Sequence, residues 1–231
     1  ENPKTAKYFA RYADRIIQSL GGGVRYWITL NEPEIYVLNS YMRGRWLPEK
    51  KSVFLFIKVL NNLVRAHKVA YSNIPRNIGI DLQAGIAKNN VYFEGWLSPI
   101  FNYLWNNWFL NKIKNHQDFI GLNYYFHNRI KGFRFNQNKN RVVSDMGWEI
   151  YPKGIYHILK DLKKYQKPIF VTENGVADAR DSLRARFIAD HLDSAGKAIQ
   201  EGVDVRGYFY WSLLDNFEWD KGFWPRFGLV E

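Results

Sequence analysis

The 231-residue sequence contains no cysteine, and this absence excludes a disulfide framework and a cysteine-based zinc site. It also lacks an apolar run of the roughly 20 residues that a membrane-spanning helix needs. No secretion signal is visible at the first residues, Glu1-Asn2-Pro3, and an initiator methionine is missing there too. These absences predict a cytoplasmic protein without a membrane partner. They leave open that the sequence begins partway into a longer protein.

Acidic residues are scarce, because 22 Asp and Glu stand against 33 Lys and Arg, for a formal net charge of +11. Such a charge is compatible with a nucleic-acid partner. The basic residues are scattered, however, over residues 131–141, 153–167 and 180–186, without one concentrated arm. We therefore expect a solvated basic surface and no nucleic-acid partner.

Aromatic residues are abundant, at 17% of the sequence, with 9 Trp and 15 Tyr. Two interpretations of these rings stay open: they line a site for hydroxylated ligands such as sugars, or they simply pack the interior. The hydrophobic content of 46% is ordinary for a globular protein, and a chain of this length can bury one large core.

Predicted helices and strands alternate along the chain. The predicted helices cover residues 3–20, 53–71, a segment from 98 onward, 153–165 and 182–201. The predicted strands cover residues 24–30, 77–82, 118–122, 168–172 and 206–211, with loops around Tyr41 and at 83–96 and a small hairpin at 133–143. Alternation is typical of parallel β/α units, so the predicted fold class is α/β. The chain represents roughly the C-terminal five units of a (β/α)8 TIM barrel, as one partial domain over residues 1–231.

Two predicted strands end in a glutamate. Residues 169–175 (IFVTENG) run from apolar side chains to Glu173, and residues 27–33 (WITLNEP) have the same build around Glu32. In a barrel, the active site lies at the C-terminal ends of the strands, so these carboxylates are predicted to meet at one pocket. Hydrolysis of a glycosidic bond needs such a pair: one carboxyl protonates the leaving oxygen, and in retaining enzymes the other attacks the sugar.

Four segments resemble motifs of glycoside hydrolase family 1, the β-glucosidase family. TLNEP at residues 29–33 resembles the T-x-N-E-P motif, and VTENG at 171–175 resembles the [IV]-T-E-N-G motif. GLNYY at 121–125 is similar to the N-Y-Y segment, while residues 211–219 and 226–229 are similar to the C-terminal signature. The segments occur in family order. The resemblance implies a retaining β-glucosidase that acts on small β-glucosides and needs no cofactor and no metal.

The resemblance also implies roles for single residues. Glu32 would be the general acid/base and Glu173 the nucleophile, while Asn31 would hydrogen-bond the sugar 2-OH. Tyr125 would donate its hydroxyl to Glu173. The other expected substrate-binding residues are Asn123, Trp148 as an aglycone platform, Trp211 as the floor of the sugar site, and Glu218 and Trp219 as ligands of sugar hydroxyls. A carboxylate at Glu218 would repel a phosphate, which favours an unphosphorylated glycoside.

The sequence departs from the family at both ends. The family has three further strands before the T-x-N-E-P strand and a closing helix at its C-terminus, and neither is present here. Three explanations stay open: part of a longer chain, one piece of a barrel that another chain completes, or a shortened variant. Two further functional hypotheses follow, a catalytically weak sugar- or small-molecule-binding barrel and a fragment that acts only within an assembly. The five histidines show no metal-ligand spacing, and the oligomeric state stays open.

Overall fold

The computed structural model describes residues 1–20, 23–74 and 81–230. Within these ranges, helices and strands alternate as predicted. The elements, in chain order, are α1 (Thr5–Leu20), β1 (Tyr26–Asn31), α2 (Pro33–Val37), α3 (Val53–Asn73), β2 (Gln83–Asn89), β3 (Tyr92–Glu94), α4 (Ser98–Phe101), α5 (Trp108–Ile113), β4 (Phe119–Asn123), β5 (His127–Arg129), α6 (Pro152–Leu162), β6 (Ile169–Asn174), α7 (Arg184–Gln200) and β7 (Val205–Tyr210).

Five of the strands form one sheet in the order β1-β2-β4-β6-β7, and β3 pairs with β5 in a second sheet. The β1–β2 and β6–β7 pairs are parallel. This arrangement is that of a partial (β/α) barrel, as predicted. By its internal contacts the chain divides into a first unit, residues 1–89 and 109–121, and a second unit, residues 90–108 and 122–231. The single-domain assignment stays a prediction.

The first unit is organised around helices α1 and α3 and strands β1 and β2. Its buried apolar cluster consists of Ile17, Ile74, Leu82 and Ala84, with Trp27 and Tyr71 packed against it. Helix α3 begins at Ser52, whose side-chain oxygen accepts a hydrogen bond from the Leu55 amide at 3.3 Å. Such a cap satisfies one of the amides that a helix leaves unpaired at its start.

Strand β2 lies further along the chain than predicted. It occupies Gln83–Asn89, within the predicted loop, and the predicted strand at 77–82 falls largely in residues 75–80, outside the described ranges. The strand was missed because its small residues have weak strand propensity. They are required by burial, since a Cβ added to Gly85 would lie 2.3 Å from the Phe119 carbonyl oxygen.

Helix α1 buries mostly small side chains. Its buried residues are Ala6, Ala10 and Ile17. Tyr8 and Tyr12 recur at the spacing expected for the apolar face of an amphipathic helix, yet they are 56% and 63% exposed. Small alanine side chains allow α1 to lie close to α3, and the larger rings then project outward.

Two segments are π-helical, a geometry that a period of 3.6 residues does not predict. Leu38–Met42 continues α2, so the loop predicted around Tyr41 is helical there, and Tyr41 is buried. Asn102–Asn107 separates α4 from α5 and shifts the phase of the helical face. As a result, Phe109 is fully buried while Ile100 is exposed, although a regular helix from residue 98 onward would place both on one apolar face.

The second unit contains the parallel pair β6–β7 and helices α6 and α7. One part of its interior consists of apolar side chains from α6, β6 and α7: Ile155, Ile158, Leu159, Leu162, Ile169, Val171, Phe187, Ala195 and Ala198. A second buried cluster consists of Val91, Phe93, Leu97 and Ile130. Helix α6 begins with Pro152, where the missing amide hydrogen is harmless. Gly202 follows α7 with φ of 78°, a left-handed conformation in which glycine commonly ends a helix.

The hairpin predicted at residues 133–143 is wrong. Within the described residues, β5 instead pairs in parallel with β3, and Val143 forms an isolated bridge with Glu149. Asparagine side chains replace the expected ladder. The Asn136 amide donates to the Asn128 side chain at 3.0 Å, and Asn138 accepts from the backbone of the β5 strand at 2.7 Å. Asparagine competes in this way with strand pairing.

Over residues 1–20, 23–74 and 81–230, no helix combines the length and apolar character needed to cross a bilayer.

We expect Gly85→Ala to lower the free energy of unfolding by about 1–3 kcal/mol, because the added methyl group meets backbone that must shift. Urea unfolding followed by circular dichroism measures this. Gly196→Ala is the matched control: it lies within α7 with nothing within 4 Å of the added Cβ. Because alanine favours a helix more than glycine does, this substitution should raise the free energy of unfolding by up to about 1 kcal/mol. Equal effects of the two substitutions would contradict the packing argument.

Two buried histidines should make the chain acid-sensitive. Burial lowers the pKa of His67 and of His191 to about 4. Between pH of about 6.5 and 4, the unfolded chain therefore binds protons that the folded chain does not, so stability falls by up to about 3 kcal/mol for each. His191→Gln, which can still donate to the Phe187 carbonyl as His191 Nδ1 can at 2.8 Å, should flatten the curve. Unfolding free energies at pH 7, 5.5 and 4.5 test this, and an unchanged slope in the variant would contradict it.

Candidate active site

Glu32 lies directly after β1 and directly before helix α2. Its backbone is left-handed, with φ 45° and ψ 52°, a conformation that costs other residues than glycine on the order of 1 kcal/mol. Two hydrogen bonds hold it there: its amide donates to the Ala87 carbonyl at 2.8 Å, and its carbonyl accepts from the Ile35 amide at 3.0 Å. Pro33 then starts α2 with a fixed φ. The half-buried carboxylate is thus presented at the C-terminal end of β1.

Asn89, at the end of β2, is a site residue that the sequence analysis missed. Its side-chain amide donates to Glu32 Oε1 at 3.1 Å. The only signal was a weak one: Asn89 is an amide at the end of a strand, as Asn31 is in β1, but Lys88 separates it from the small apolar residues of β2. Asn31 itself, predicted to bind the sugar 2-OH, is exposed as the last residue of its strand.

Glu34 and Lys88 form a buried ion pair next to Glu32. Lys88 Nζ lies 3.1 Å from Glu34 Oε1, and both side chains are almost completely excluded from solvent. Burial lowers the pKa of Lys88, while the carboxylate of Glu34 and, less strongly, that of Glu32 favour its charged form. Neither Glu34 nor Lys88 belongs to a motif that marks it as a site residue in the sequence.

Glu173 is presented by β6 in the second unit, where Tyr125 holds it. The Tyr125 hydroxyl donates to Glu173 Oε2 at 2.7 Å, which is the contact predicted from the sequence. The Glu173 carbonyl accepts from the Tyr124 amide at 2.9 Å and so ties the end of β6 to the segment after β4. A hydrogen bond to a carboxylate favours its charged form. Because Glu32 belongs to the first unit, the meeting of the two glutamates at one pocket stays a prediction.

Asn123 ends β4 with a fully buried side chain. Its side-chain oxygen accepts a hydrogen bond from the Thr172 hydroxyl at 2.6 Å. This bond joins the ends of β4 and β6 next to Glu173. The predicted role of Asn123 in binding substrate stays a prediction.

Trp148 belongs to an aromatic group beside the nucleophile candidate. Its ring centroid lies 5.7 Å from that of Tyr125, 5.3 Å from that of Phe126 and 6.5 Å from that of Phe227. Tyr125 also meets Phe227 edge-on, with centroids 6.2 Å apart. Trp148 is half-buried, so part of the indole stays open to solvent, as a platform for a ligand requires.

The C-terminal segment carries the last three predicted residues. Trp211 follows β7, and its amide donates to the Asn174 carbonyl at 3.0 Å. The half-buried Glu218 is held by its amide, which donates to the Gly222 carbonyl at 2.8 Å. Trp219 is 58% exposed and has a left-handed backbone with φ of 45°. An exposed indole and a half-buried carboxylate adjacent in sequence are groups suited to bind a hydroxylated ring.

Arg184, at the start of α7, connects this C-terminal segment to the loop after β6. Its guanidinium donates to the carbonyls of Val176, Asp178 and Phe227 at 2.9, 2.7 and 3.2 Å, and to the Tyr210 hydroxyl at 2.8 Å. The side chain is buried, and the sequence analysis read it only as one of several scattered basic residues. It fixes Phe227 beside the Tyr125 ring.

Metal-ligating side chains do not converge in the described part of the chain: no group of three His, Cys, Asp or Glu could hold an ion there.

The comparison with known proteins gives one family. A sequence model of glycosyl hydrolase family 1 matches residues 1–95 and 107–231. Beta-glucosidase A of Thermotoga maritima is 34% identical over 286 residues, covering 99% of this chain and 63% of that protein. A beta-galactosidase of Pyrococcus woesei is 30% identical over 308 residues, covering 100% of this chain and 58% of that protein.

A solved structure confirms the fold class. The crystal structure of Fpglu1 from Fervidobacterium pennivoraus matches with a TM-score of 0.90 at 34% identity, covering 99% of this chain and 56% of that one. The chain therefore spans less than two thirds of the length of the relatives that it matches. The roles of single site residues stay predictions.

We expect Arg184→Lys to lower the free energy of unfolding by about 3 kcal/mol or more, because an ammonium cannot reproduce the planar set of donors and leaves buried carbonyls unpaired. Urea unfolding measures the loss. Arg186→Lys is the matched control, since Arg186 forms an exposed pair with Asp190 on the same helix, at 3.4 Å. That change should stay within about 0.5 kcal/mol. Similar losses in both variants would contradict the role given to Arg184.

Proposed function

The chain belongs to glycosyl hydrolase family 1, and from this membership we propose that it carries the catalytic groups of a retaining β-glycosidase. The reaction is hydrolysis of terminal non-reducing β-D-glucosyl residues of small glucosides by double displacement. The observation that carries the proposal is the hydrogen bond of 2.7 Å from Tyr125 to Glu173 at the end of a parallel strand. Family membership favours hydrolysis over a purely sugar-binding barrel.

In the first step, Glu173 attacks the anomeric carbon. One of its carboxylate oxygens forms a bond to C1 while the bond from C1 to the leaving oxygen breaks. Glu32 gives its proton to that oxygen. The Tyr125 hydroxyl orients the Glu173 carboxylate and favours its ionised form, in which it is nucleophilic.

In the second step, water attacks C1 of the glycosyl-enzyme. Glu32, now ionised, accepts a proton from the water, and the bond from C1 to Glu173 breaks to regenerate the carboxylate. Asn89, which donates to Glu32 Oε1 at 3.1 Å, keeps one carboxylate oxygen fixed while the other exchanges the proton. No cofactor or metal takes part in either step.

The remaining residues bind the sugar and its aglycone. Asn31 donates to the 2-OH, a contact that strengthens in the transition state. Glu218 and Trp219 bind hydroxyls of the non-reducing sugar, Trp211 lies beneath its ring, and Trp148 contacts the aglycone. Asn123, joined to Thr172 at 2.6 Å, supports the end of β6 as well as the sugar site.

The substrate proposed is an unphosphorylated β-glucoside. The Glu218 carboxylate would repel a sugar phosphate, because two negative charges would then lie close together. The matched relatives are named for glucosides in one case and galactosides in another, so β-galactosides are the nearest alternative substrates.

We expect Glu173→Ala to lower hydrolysis of 4-nitrophenyl β-D-glucoside by about 10³-fold or more, because no nucleophile remains. Azide should restore turnover in this variant and form the α-glucosyl azide by a single inversion. Release of 4-nitrophenol and NMR of the azide product measure both effects.

Glu32→Ala should behave differently. Loss of the acid/base costs about 10²–10⁴-fold, less for an activated leaving group than for a poor one. Azide should here give the β-glucosyl azide, because it attacks the glycosyl-enzyme. Glu201→Ala, which removes an exposed carboxylate paired with Lys160, is the control and should leave turnover unchanged. Wild-type turnover in Glu173→Ala would sink the proposal, and azide products of the opposite configuration would reverse the two roles.

A further inference from the structure

Three ionisable groups of the first unit lie together at the ends of β1 and β2: Glu32, Glu34 and Lys88. We call them the charge triad. Lys88 Nζ lies 3.1 Å from Glu34 Oε1 and also donates to the Asn89 carbonyl at 3.1 Å. Asn89 in turn donates to Glu32. The acid/base candidate is therefore linked to the ion pair through one residue of β2.

Such an ion pair is not explained by stability. Removing two charges from water costs several kcal/mol for each ion, and an apolar pair of similar volume is often as stable or more so. The Lys88 side chain is 0% exposed and the Glu34 side chain 4% exposed. A buried ammonium near the end of a strand, adjacent in sequence to the Asn89 that donates to Glu32, points to an electrostatic role.

The charges of the triad balance only when Glu32 is protonated. Lys88 and Glu34 then cancel, and Glu32 is a neutral acid able to give its proton away. When Glu32 ionises, the triad carries one negative charge, and the ammonium is attracted by both carboxylates. Without Glu34, the undivided charge of Lys88 would hold Glu32 in an ion pair and keep it ionised.

We infer that Glu34 is a positioning residue for the acid/base: by holding the Lys88 ammonium, it leaves Glu32 free to be protonated for the first step of the reaction. This inference rests on the proposed function for its catalytic meaning. Lys88 supplies the complementary effect and favours the Glu32 carboxylate that the second step needs. The Glu34–Lys88 pair thus sets the protonation of Glu32 although neither side chain contacts the substrate.

Other titratable groups on the packed elements do not substitute for the triad. His67 of α3 is neutral near pH 7, because burial lowers its pKa to about 4, and its ring bonds Thr29 Oγ1 at 2.6 Å. Tyr41 is neutral as well, since burial raises its pKa to about 12. The cations Lys58 and Arg65 of α3 are exposed, and Lys68 is half-buried. Tyr36 of α2 packs on the Tyr41 ring.

The test is Glu34→Gln, with the pKa of Glu32 read by ¹³C NMR of carboxyl-labelled glutamate and assigned with Glu32→Gln. We expect the pKa of Glu32 to fall by about 1 or more, because a like charge is lost and the Lys88 charge is no longer shared. The basic limb of the pH profile of kcat/KM should move down by the same amount, since an ionised Glu32 cannot act as acid.

The double variant Glu34→Gln/Lys88→Met should restore both the pKa and the basic limb most of the way to the wild-type values, because the excess charge is removed. If the two substitutions acted only by damaging the structure, the double variant would instead lose more activity than either single variant. Glu201→Gln, which breaks the exposed pair with Lys160, is the matched control and should shift neither readout. An unmoved or raised pKa of Glu32 in Glu34→Gln, or no recovery in the double variant, overturns the inference.

A measurement on the wild-type chain covers the case in which Glu34→Gln does not fold. As the pH is varied, the ¹⁵N chemical shift of Lys88 Nζ should show an inflection at the pH where Glu32 is half-ionised. Glu32→Gln should abolish that inflection. Absence of that inflection overturns the inference too. Both NMR readouts are independent of turnover. If the protein hydrolyses glucosides but the pKa of Glu32 does not change in Glu34→Gln, only this inference is wrong. If the pKa of Glu32 changes but the protein hydrolyses no glucoside, only the proposed function is wrong.

Discussion

Parallel strands deliver their polar ends to one edge of the sheet, and each polar end must be satisfied where it leaves the apolar interior. A series of side-chain hydrogen bonds meets this requirement within each unit. In the first unit, Asn89 donates to Glu32 at 3.1 Å. In the second unit, Thr172 donates to Asn123 at 2.6 Å, and Tyr208 donates to the side chain of Asn174 at 2.6 Å. The same bonds that stabilise the strand ends also fix the groups on which chemistry depends.

The two glutamates are held by different means, and this difference suits the different tasks proposed for them. Glu173 receives a hydroxyl donor from Tyr125, and its proposed role as nucleophile requires an ionised carboxylate. Glu32 lies beside the Glu34–Lys88 ion pair and the side-chain amide of Asn89, so the charges around it can favour either its protonated or its ionised form. Two carboxyl groups of the same chemical type can divide acid and nucleophile roles only when their environments differ in this way. The chain as a whole is strongly basic, with a net charge of +11, so its acidic groups at these strand ends are local features rather than a reflection of composition.

The sequence was most informative where an apolar strand is followed by a glutamate. β1 and β6 were predicted within a few residues, because an apolar run followed by a glutamate is a strong local pattern, and the Tyr125 contact followed from the family resemblance. β2 was missed, because its alanines and glycine are chosen by close backbone approach at Phe119 rather than by strand propensity. Lys88 could not have been recognised as buried, since a lysine in a polar-looking segment is ordinarily exposed. Its partner Glu34 is 54 positions away in sequence, and only the folded chain brings the two together.

The buried pair also bears on how this chain can be recombined with its relatives. Helix α2 contributes Glu34, and strand β2 contributes Lys88, so any crossover between these elements separates the two halves of one charge pair. A chimaera that inherits one half alone would bury a lone ion, a defect of several kcal/mol that neither parent carries. Where a relative lacks one of these two residues, a crossover between α2 and β2 therefore carries this cost, and a crossover outside the two elements avoids it.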